Sequence, residues 1–251
     1  MHRTIRRWDD FVRAWDGVTN FLIAGECAPF SFDLPPLEEL LDQVRHDDEA
    51  HVYPGAKGDR LATTEINDEF RRLPIKEAIR SEFRLAHHNI LKWDALGQML
   101  EGFNIEVVEP FKQALVAQGF TWTWFREYFF FTGPNSATNY HMDKSNVIAW
   151  QRFGRKMFSS LEDPDCWEPL ERRMQILTEP VSRPPGIADK DVLTYEMNPG
   201  DVLWNALLTP HWVDAVDEPA CSINFSLRGL RHRDRICRHE HELVEWQKKN
   251  S

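Results

Sequence analysis

The hydrophobic pattern changes character about halfway along the chain. Up to residue 119, apolar positions recur mostly at helical spacing. Trp8, Phe11, Val12 and Trp15 fall on one face of a helix from Arg7 to Trp15. Pro35-Pro36 opens a second helix, Leu37 to Val44, with acidic residues in its first turn. The stretch from His46 to Thr64 contains Pro54-Gly55 and Gly58-Asp59 and reads as loop and short strand. Pro74 starts a helix that the pattern carries to about Leu85. Another helical pattern runs from Asp94 to Gln118, broken near Gly102. From Phe120 the residues become aromatic and β-branched, and Thr121 to Phe125 and Tyr128 to Phe131 predict strands. Turn residues Gly133-Pro134-Asn135 follow. Further strands are predicted in Asn146 to Ser160 (with Gly154 in a turn), Asp191 to Tyr195, Asp201 to Trp204, His211 to Val216 and Cys221 to Leu227. Many short strands between turns predict a sandwich, barrel or jelly roll and not a βαβ fold. A charged helical pattern returns at Arg231 and ends with Glu240 to Lys249. The expected organisation is one structural unit. A mostly helical flank, 1–119, packs on a mainly β core, 120–230, and a C-terminal helix lies in 231–251.

Composition narrows the function classes. With 251 residues, 42% of them hydrophobic, the chain can bury a substantial core. Its net charge of −10 disfavours nucleic acid and anionic membranes as partners. It has no apolar run of about 18 residues. Its basic start is followed by Trp8-Asp9-Asp10, where a signal peptide needs apolar residues. A cytoplasmic location is expected. Cys27, Cys166, Cys221 and Cys237 are scattered without a C-x-x-C and read as reduced thiols. The 10 Trp and 16 Phe suit a thick core or an aromatic-walled pocket.

The candidate chemistry centres on His141-Met142-Asp143. On a strand, residues i and i+2 share a face, so imidazole and carboxylate can reach one ion. With a distant second His they match the facial triad of non-haem Fe(II) oxygenases, which leaves coordination positions open. Roughly one H-x-D is expected by chance in such a chain, and a second, His232-Arg233-Asp234, lies in a charged stretch read as the start of a helix. There i and i+2 diverge, so it is treated as a decoy. His211, in Thr209-Pro210-His211-Trp212-Val213, begins another predicted strand. Its separation from His141 suits ligands on opposite strands of a small barrel. His87-His88 has no acidic or Cys partner nearby in sequence and reads as surface or hydrogen-bonded.

Several motifs occur in a specific order: Thr138-Asn139-Tyr140-His141-Met142-Asp143, Asn146, Gly154-Arg155-Lys156, Pro199-Gly200-Asp201-Val202-Leu203, Pro210-His211 and Asn224-Phe225. Together they resemble the JmjC/cupin-like (cupin-8 type) Fe(II)- and 2-oxoglutarate-dependent oxygenases, over about residues 126–230. The resemblance implies a double-stranded β-helix, with Fe(II), 2-oxoglutarate and O2 as cofactors. It implies His141, Asp143 and His211 as catalytic metal ligands. It places Lys156 on the far carboxylate of 2-oxoglutarate, assisted by Thr138 and Asn224. A buried dicarboxylate needs such a cation and donors to offset its desolvation. Arg228 is a second cation that can serve the same role. Pro210 directly before His211 departs from the family pattern. Because Asp143 is present, the resemblance implies oxygen insertion, as hydroxylation or as demethylation through it, and not halogenation.

For substrate contacts, Trp204, Asn205, Tyr128 and Trp150 are the candidates. The expected substrate is a small molecule, amino acid or peptide, such as a natural-product precursor. A protein hydroxylase or demethylase stays open. Two rivals remain: a cupin-type metalloenzyme that does not use 2-oxoglutarate, and a non-catalytic β-sandwich binding module. The C-terminal helix is expected to dock on the core or to form a homodimer.

Overall fold

Along each core strand, side-chain alternation decides which of two interiors a residue joins. The structure is a computed structural model and describes residues 3–55, 64–176 and 182–250. In chain order its strands are β1 (Thr4–Ile5), β2 (Phe21–Ile23), β3 (Ala50–Pro54), β4 (Phe83–His87), β5 (Phe120–Thr121), β6 (Trp124–Thr132), β7 (Ala137–His141) and β8 (Asn146–Phe153). They continue as β9 (Lys156–Leu161), β10 (Val192–Met197), β11 (Val202–Asn205), β12 (His211–Ala215), β13 (Ala220–Arg228), β14 (Arg231–His232) and β15 (Arg235–Ile236). The helices are α1 (Trp8–Ala14), α2 (Leu37–Arg45), α3 (Thr64–Arg72), α4 (Ile75–Ala78), α5 (Leu91–Ala95), α6 (Glu109–Ala117), α7 (Pro164–Trp167), α8 (Leu170–Ile176) and α9 (Glu240–Asn250).

A large sheet runs β1-β2-β11-β8-β13-β6-β4-β3, and a smaller one runs β10-β9-β12-β7. Strands β11, β8, β13 and β6 pair antiparallel, as do the four of the smaller sheet. These two groups of four are the halves of a jelly roll, as expected for a mainly β core. The β8–β9 connection turns at Gly154, where φ is +59° and a Cβ would lie 2.2 Å from the Pro219 carbonyl oxygen. That turn sets the register that places Lys156 at the start of β9.

The large apolar core is not between the two sheets. It lies on the outer face of the large sheet, beneath the helical flank. Phe11, Trp15, Leu40, Phe103 and Phe111 pack there with Phe129, Trp150, Trp204, Ile223 and Phe225. Between the sheets, among the described residues, a second and much smaller apolar cluster forms from Phe158, Leu193, Tyr195, Met197 and Leu203. Beside that cluster lies a cavity lined from both sheets.

The N-terminal region also contributes strands. β2 pairs with β11, β3 with β4, and β4 with β6. The helix predicted from Pro74 to Leu85 is corrected here: α4 ends at Ala78, and Phe83 to His87 form a fully buried strand. Phe83 and Leu85 enter the large core, while Arg84 and Ala86 face the cavity. The open edge of β6 supplies the ladder, and tertiary pairing overrides local propensity. Near Gly102, where the pattern predicted a break, φ is +87°. The Asp94 carboxylate accepts the Gly102 and Asn104 amides there, each at 2.8 Å. At the C-terminal end, His232-Arg233-Asp234 lies in a β14–β15 hairpin with Arg233 at φ +54°, not at a helix start. α9 holds Leu243 in the large core. Among the described residues, no helix is long and apolar enough to cross a membrane.

Candidate functional site

β7 and β12 are neighbours in the smaller sheet, and their register sets His141 directly opposite His211. The two histidines are therefore on adjacent strands of one sheet, a correction to the expected opposite strands of a barrel. Their ring centroids are 4.1 Å apart. Asp143 follows the end of β7. Its Oδ1 lies 3.8 Å from His141 Nε2, and its Oδ2 lies 3.6 Å from His211 Nε2. One donor atom from each residue falls within 4.8 Å of the others, and among the described residues no other group of His, Cys, Asp or Glu is so arranged.

Each imidazole is held by its other nitrogen. His141 Nδ1 donates to the Asn139 carbonyl at 2.7 Å, and His211 Nδ1 to the Thr209 carbonyl at 2.9 Å. That leaves both Nε2 lone pairs for a ligand, the usual arrangement behind a metal-binding histidine. Burial, reinforced by neighbouring His141, pushes the His211 pKa down to about 4, so its imidazole is neutral. Phe158 stacks on its face at 5.0 Å. Asn205 Nδ2 donates to Asp143 Oδ2 at 2.9 Å, while the buried Oδ1 of Asn205 has no hydrogen-bond partner among the described residues. Replacing Asn205 with alanine is expected to weaken metal binding by about 10- to 100-fold, the usual cost of losing an orienting partner. Metal titration of the folded variant checks this.

The cluster opens into a cavity of about 410 Å³ between the sheets. Lys156 lines it and is only 4% exposed. Its Nζ donates to the Phe130 carbonyl at 3.2 Å and to Ser222 Oγ at 3.5 Å. Among the described residues, no carboxylate pairs with it. Burial pushes its pKa down to about 8. Thr138 Oγ1 and Asn224 Oδ1, also on the cavity wall, are buried and have no hydrogen-bond partner among the described residues. Tyr128 lines the cavity as well, and burial, with Asp143 nearby, raises its pKa. Arg228 does not line the cavity; it donates to Gln247 Oε1 on α9 at 3.1 Å.

Of the four proposed substrate contacts, Tyr128 and Asn205 line the cavity and Trp150 and Trp204 do not. Period-2 alternation is the reason. On β8, Val147, Ala149 and Gln151 face the cavity, which turns Trp150 to the outer core against Phe30. On β11, Asn205 faces the cavity, and Trp204 packs edge-on to Phe11 at 5.1 Å. The sequence reading missed Ser222, although the polar alternation Ser222, Asn224, Ser226 on β13 is its signal. It also missed Tyr53, Arg84 and His88, which extend the wall along β3 and β4. Nothing in the local pattern flags those, because the pairing of β3 with β4 and of β4 with β6 creates their face. His87, by contrast, is fully buried and bonds Asp47 at 2.9 Å, a partner 40 residues away in sequence.

No protein-family model matches the sequence, and no curated protein matches it. Solved structures do resemble the fold. One is YcfD, a ribosomal oxygenase from Escherichia coli, at a TM-score of 0.58 and 16% identity, covering 91% of this chain and 53% of that one. The same E. coli protein in complex with cobalt and 2-oxoglutarate gives 0.55 at 17% identity, covering 88% and 51%. This chain thus spans about half the length of the structures it resembles. The chain shares the jelly-roll fold of these structures, with its His–Asp–His cluster at the inner wall of the cavity.

Proposed function

We propose that this protein is an Fe(II)- and 2-oxoglutarate-dependent oxygenase that hydroxylates a small molecule or a peptide. The observation that carries the reading is Lys156: a buried ammonium without a carboxylate, in the cavity that also holds His141, Asp143 and His211. A buried cation is costly unless a partner arrives. A dicarboxylate with one end at the metal is such a partner.

The donor set fits the metal. Two neutral imidazoles and one carboxylate suit Fe(II), and three ligands leave positions open. His141, Asp143 and His211 would hold the ion. Lys156 would hold the far carboxylate of 2-oxoglutarate, and the unpartnered Thr138 hydroxyl is a donor available to it. Bound together, Fe(II) and 2-oxoglutarate would supply the oxidising chemistry, with O2 as oxidant and 2-oxoglutarate as the two-electron co-reductant that ends as succinate and CO2, one oxygen atom going to a C–H bond. The protein positions and shields. Asn205, bonded to Asp143 Oδ2, would keep that carboxylate turned to the ion. Val147, Ala149, Phe158 and Val213 give the cavity a partly apolar lining that limits water near the oxidised carbon. The cavity volume suits one cosubstrate and a compact reacting group. The Tyr53, Arg84 and His88 wall lies on the side reached from β3 and β4.

The direct test is an anaerobic titration with Fe(II) and then 2-oxoglutarate, watched for the weak visible charge-transfer band of the chelate. A band that needs both supports the reading. Metal binding without the band would move the assignment to cupin chemistry without 2-oxoglutarate. Absence of any metal binding would favour a binding module.

The lysine also sets a pH dependence. A carboxylate partner favours the charged ammonium, so the Lys156 pKa rises on binding. Below about pH 8 the free protein already carries the proton, and 2-oxoglutarate affinity is flat. Above it, affinity is expected to fall by up to about tenfold per pH unit, until the pKa of the complex is reached. Binding isotherms between pH 7 and 10 check this, and a flat profile would contradict it.

A further inference from the structure

Between β9 and β10 the chain forms α7 and α8, which no part of the proposed chemistry uses. α8 carries Arg173, whose side chain is fully buried. Arg173 pairs with Asp165, which Arg238 also contacts at 2.7 Å. It lies 3.5 Å from Nε2 of His239, which burial and the two arginines keep neutral, with a pKa of about 4. A buried guanidinium paired to one half-exposed carboxylate is a poor source of stability. Its remaining contact is more informative: Nη1 donates to the Leu208 carbonyl at 3.1 Å.

Leu208 is a non-glycine residue at φ +59°, in the left-handed region. A buried leucine stays there only when its surroundings hold it. Two bonds do so. Arg173 holds its carbonyl, and its own amide donates to the Asp143 carbonyl at 3.1 Å. Leu208 thus ties the Asp143 backbone to the loop that delivers His211. The next residue, Thr209, accepts the His211 ring proton and anchors its hydroxyl on the Val18 carbonyl at 3.0 Å. A second tether reaches the other histidine. Tyr140, adjacent to His141, donates to Glu168 Oε1 at 3.4 Å, and the buried Glu168 is paired with Arg172 at 2.8 Å.

We propose that α7–α8 is a brace for the metal centre and that Arg173 is its positioning residue, holding the Leu208 turn that fixes Asp143 and His211 about one ion. This rests on the metal-binding reading above. The test is Co(II) titration of the full-length wild type, Arg173→Met and Arg173→Lys, read by the visible d–d spectrum, with thermal unfolding of each metal-free protein. The wild type should bind Co(II). Arg173→Met should bind it about tenfold or more weakly, in the range of a lost orienting partner, with an altered spectrum. Its metal-free Tm should fall by at most a few degrees, since the Leu208 carbonyl loses its donor while a buried charge is also removed. The metal-free protein then stays folded, and the loss of Co(II) affinity is read on a folded variant. Arg173→Lys keeps the charge but not the fork that serves Leu208 and Asp165 together, so it should also bind more weakly. Wild-type affinity and spectrum in Arg173→Met would overturn the brace. If that variant does not fold, the same result in Arg173→Lys overturns it. A wild type that binds no Co(II) would overturn the metal reading and the brace with it.

Discussion

An Asp143→Ala protein is expected to bind Fe(II) about 100-fold or more weakly than wild type, and to show no chelate band with 2-oxoglutarate. The carboxylate is the only anionic donor in a set completed by two neutral imidazoles, so its loss removes the charge compensation of a divalent ion. Its orienting partner, Asn205, is then left with an unused donor in a buried position, a cost to the fold and not to the binding step. A 100-fold loss corresponds to about 2.7 kcal/mol, a modest figure for a first ligand beside the 10- to 100-fold typical of outer-shell partners. The measurement is isothermal titration with Fe(II) under anaerobic conditions, followed by the visible spectrum. An intact band in this variant would remove Asp143 from the metal set.

The second large effect is expected from Lys156→Met, and it has two opposite signs. Binding of 2-oxoglutarate should be lost, because the counter-charge for its far carboxylate is gone. Metal-free stability should increase. The Lys156 pKa is 10.5 in the unfolded chain and about 8 in the folded protein. Between those values the unfolded state binds more protons, so wild-type stability rises with pH through that window. Below about pH 8 the full cost of burying the charge is present, of order 3 kcal/mol. Methionine fills a similar volume without that cost. At neutral pH the variant should therefore melt several degrees above wild type, given about 2–4 °C per kcal/mol for a chain of this size. The gap should close as the pH approaches 10. A destabilised variant, or one that still binds 2-oxoglutarate, would contradict the assigned role.

The β core was legible because its signals are local. Aromatic and β-branched runs between Gly, Pro and Asn turns mark strands wherever they end up. His141 and Asp143 were legible as an i, i+2 pair, although β7 ends at His141 and Asp143 lies just beyond the strand. His211 needed the order of several motifs, because nothing local distinguishes it from a buried, hydrogen-bonded histidine. Trp150 and Trp204 show where the reasoning fails. Sequence gives the alternation along β8 and β11 but not which face is the pocket. Here the apolar face turns outward to the helices and the mixed face turns inward to the cavity, the reverse of a simple sandwich. Phe83 to His87 fails differently. Its residues suit either a helix or a strand, and only the waiting edge of β6 decides. Leu208 and Arg173 gave no local signal, because the strained turn and its brace exist only in the assembled fold.

The pairing of β2 with β11 has a consequence for how the protein comes into being. Phe21 to Ile23 find their partners about 180 residues later in the chain, a contact of very high sequence separation. Emerging from a ribosome, the N-terminal segment has its aromatic helices ready but no sheet to cover. It must wait, with Phe11, Trp15 and Phe21 exposed, until β11 is synthesised. Folding is then expected to be late, slow and all-or-none. The nascent chain is a natural client for chaperones that shield apolar segments, and low-temperature expression should favour yield for the same reason.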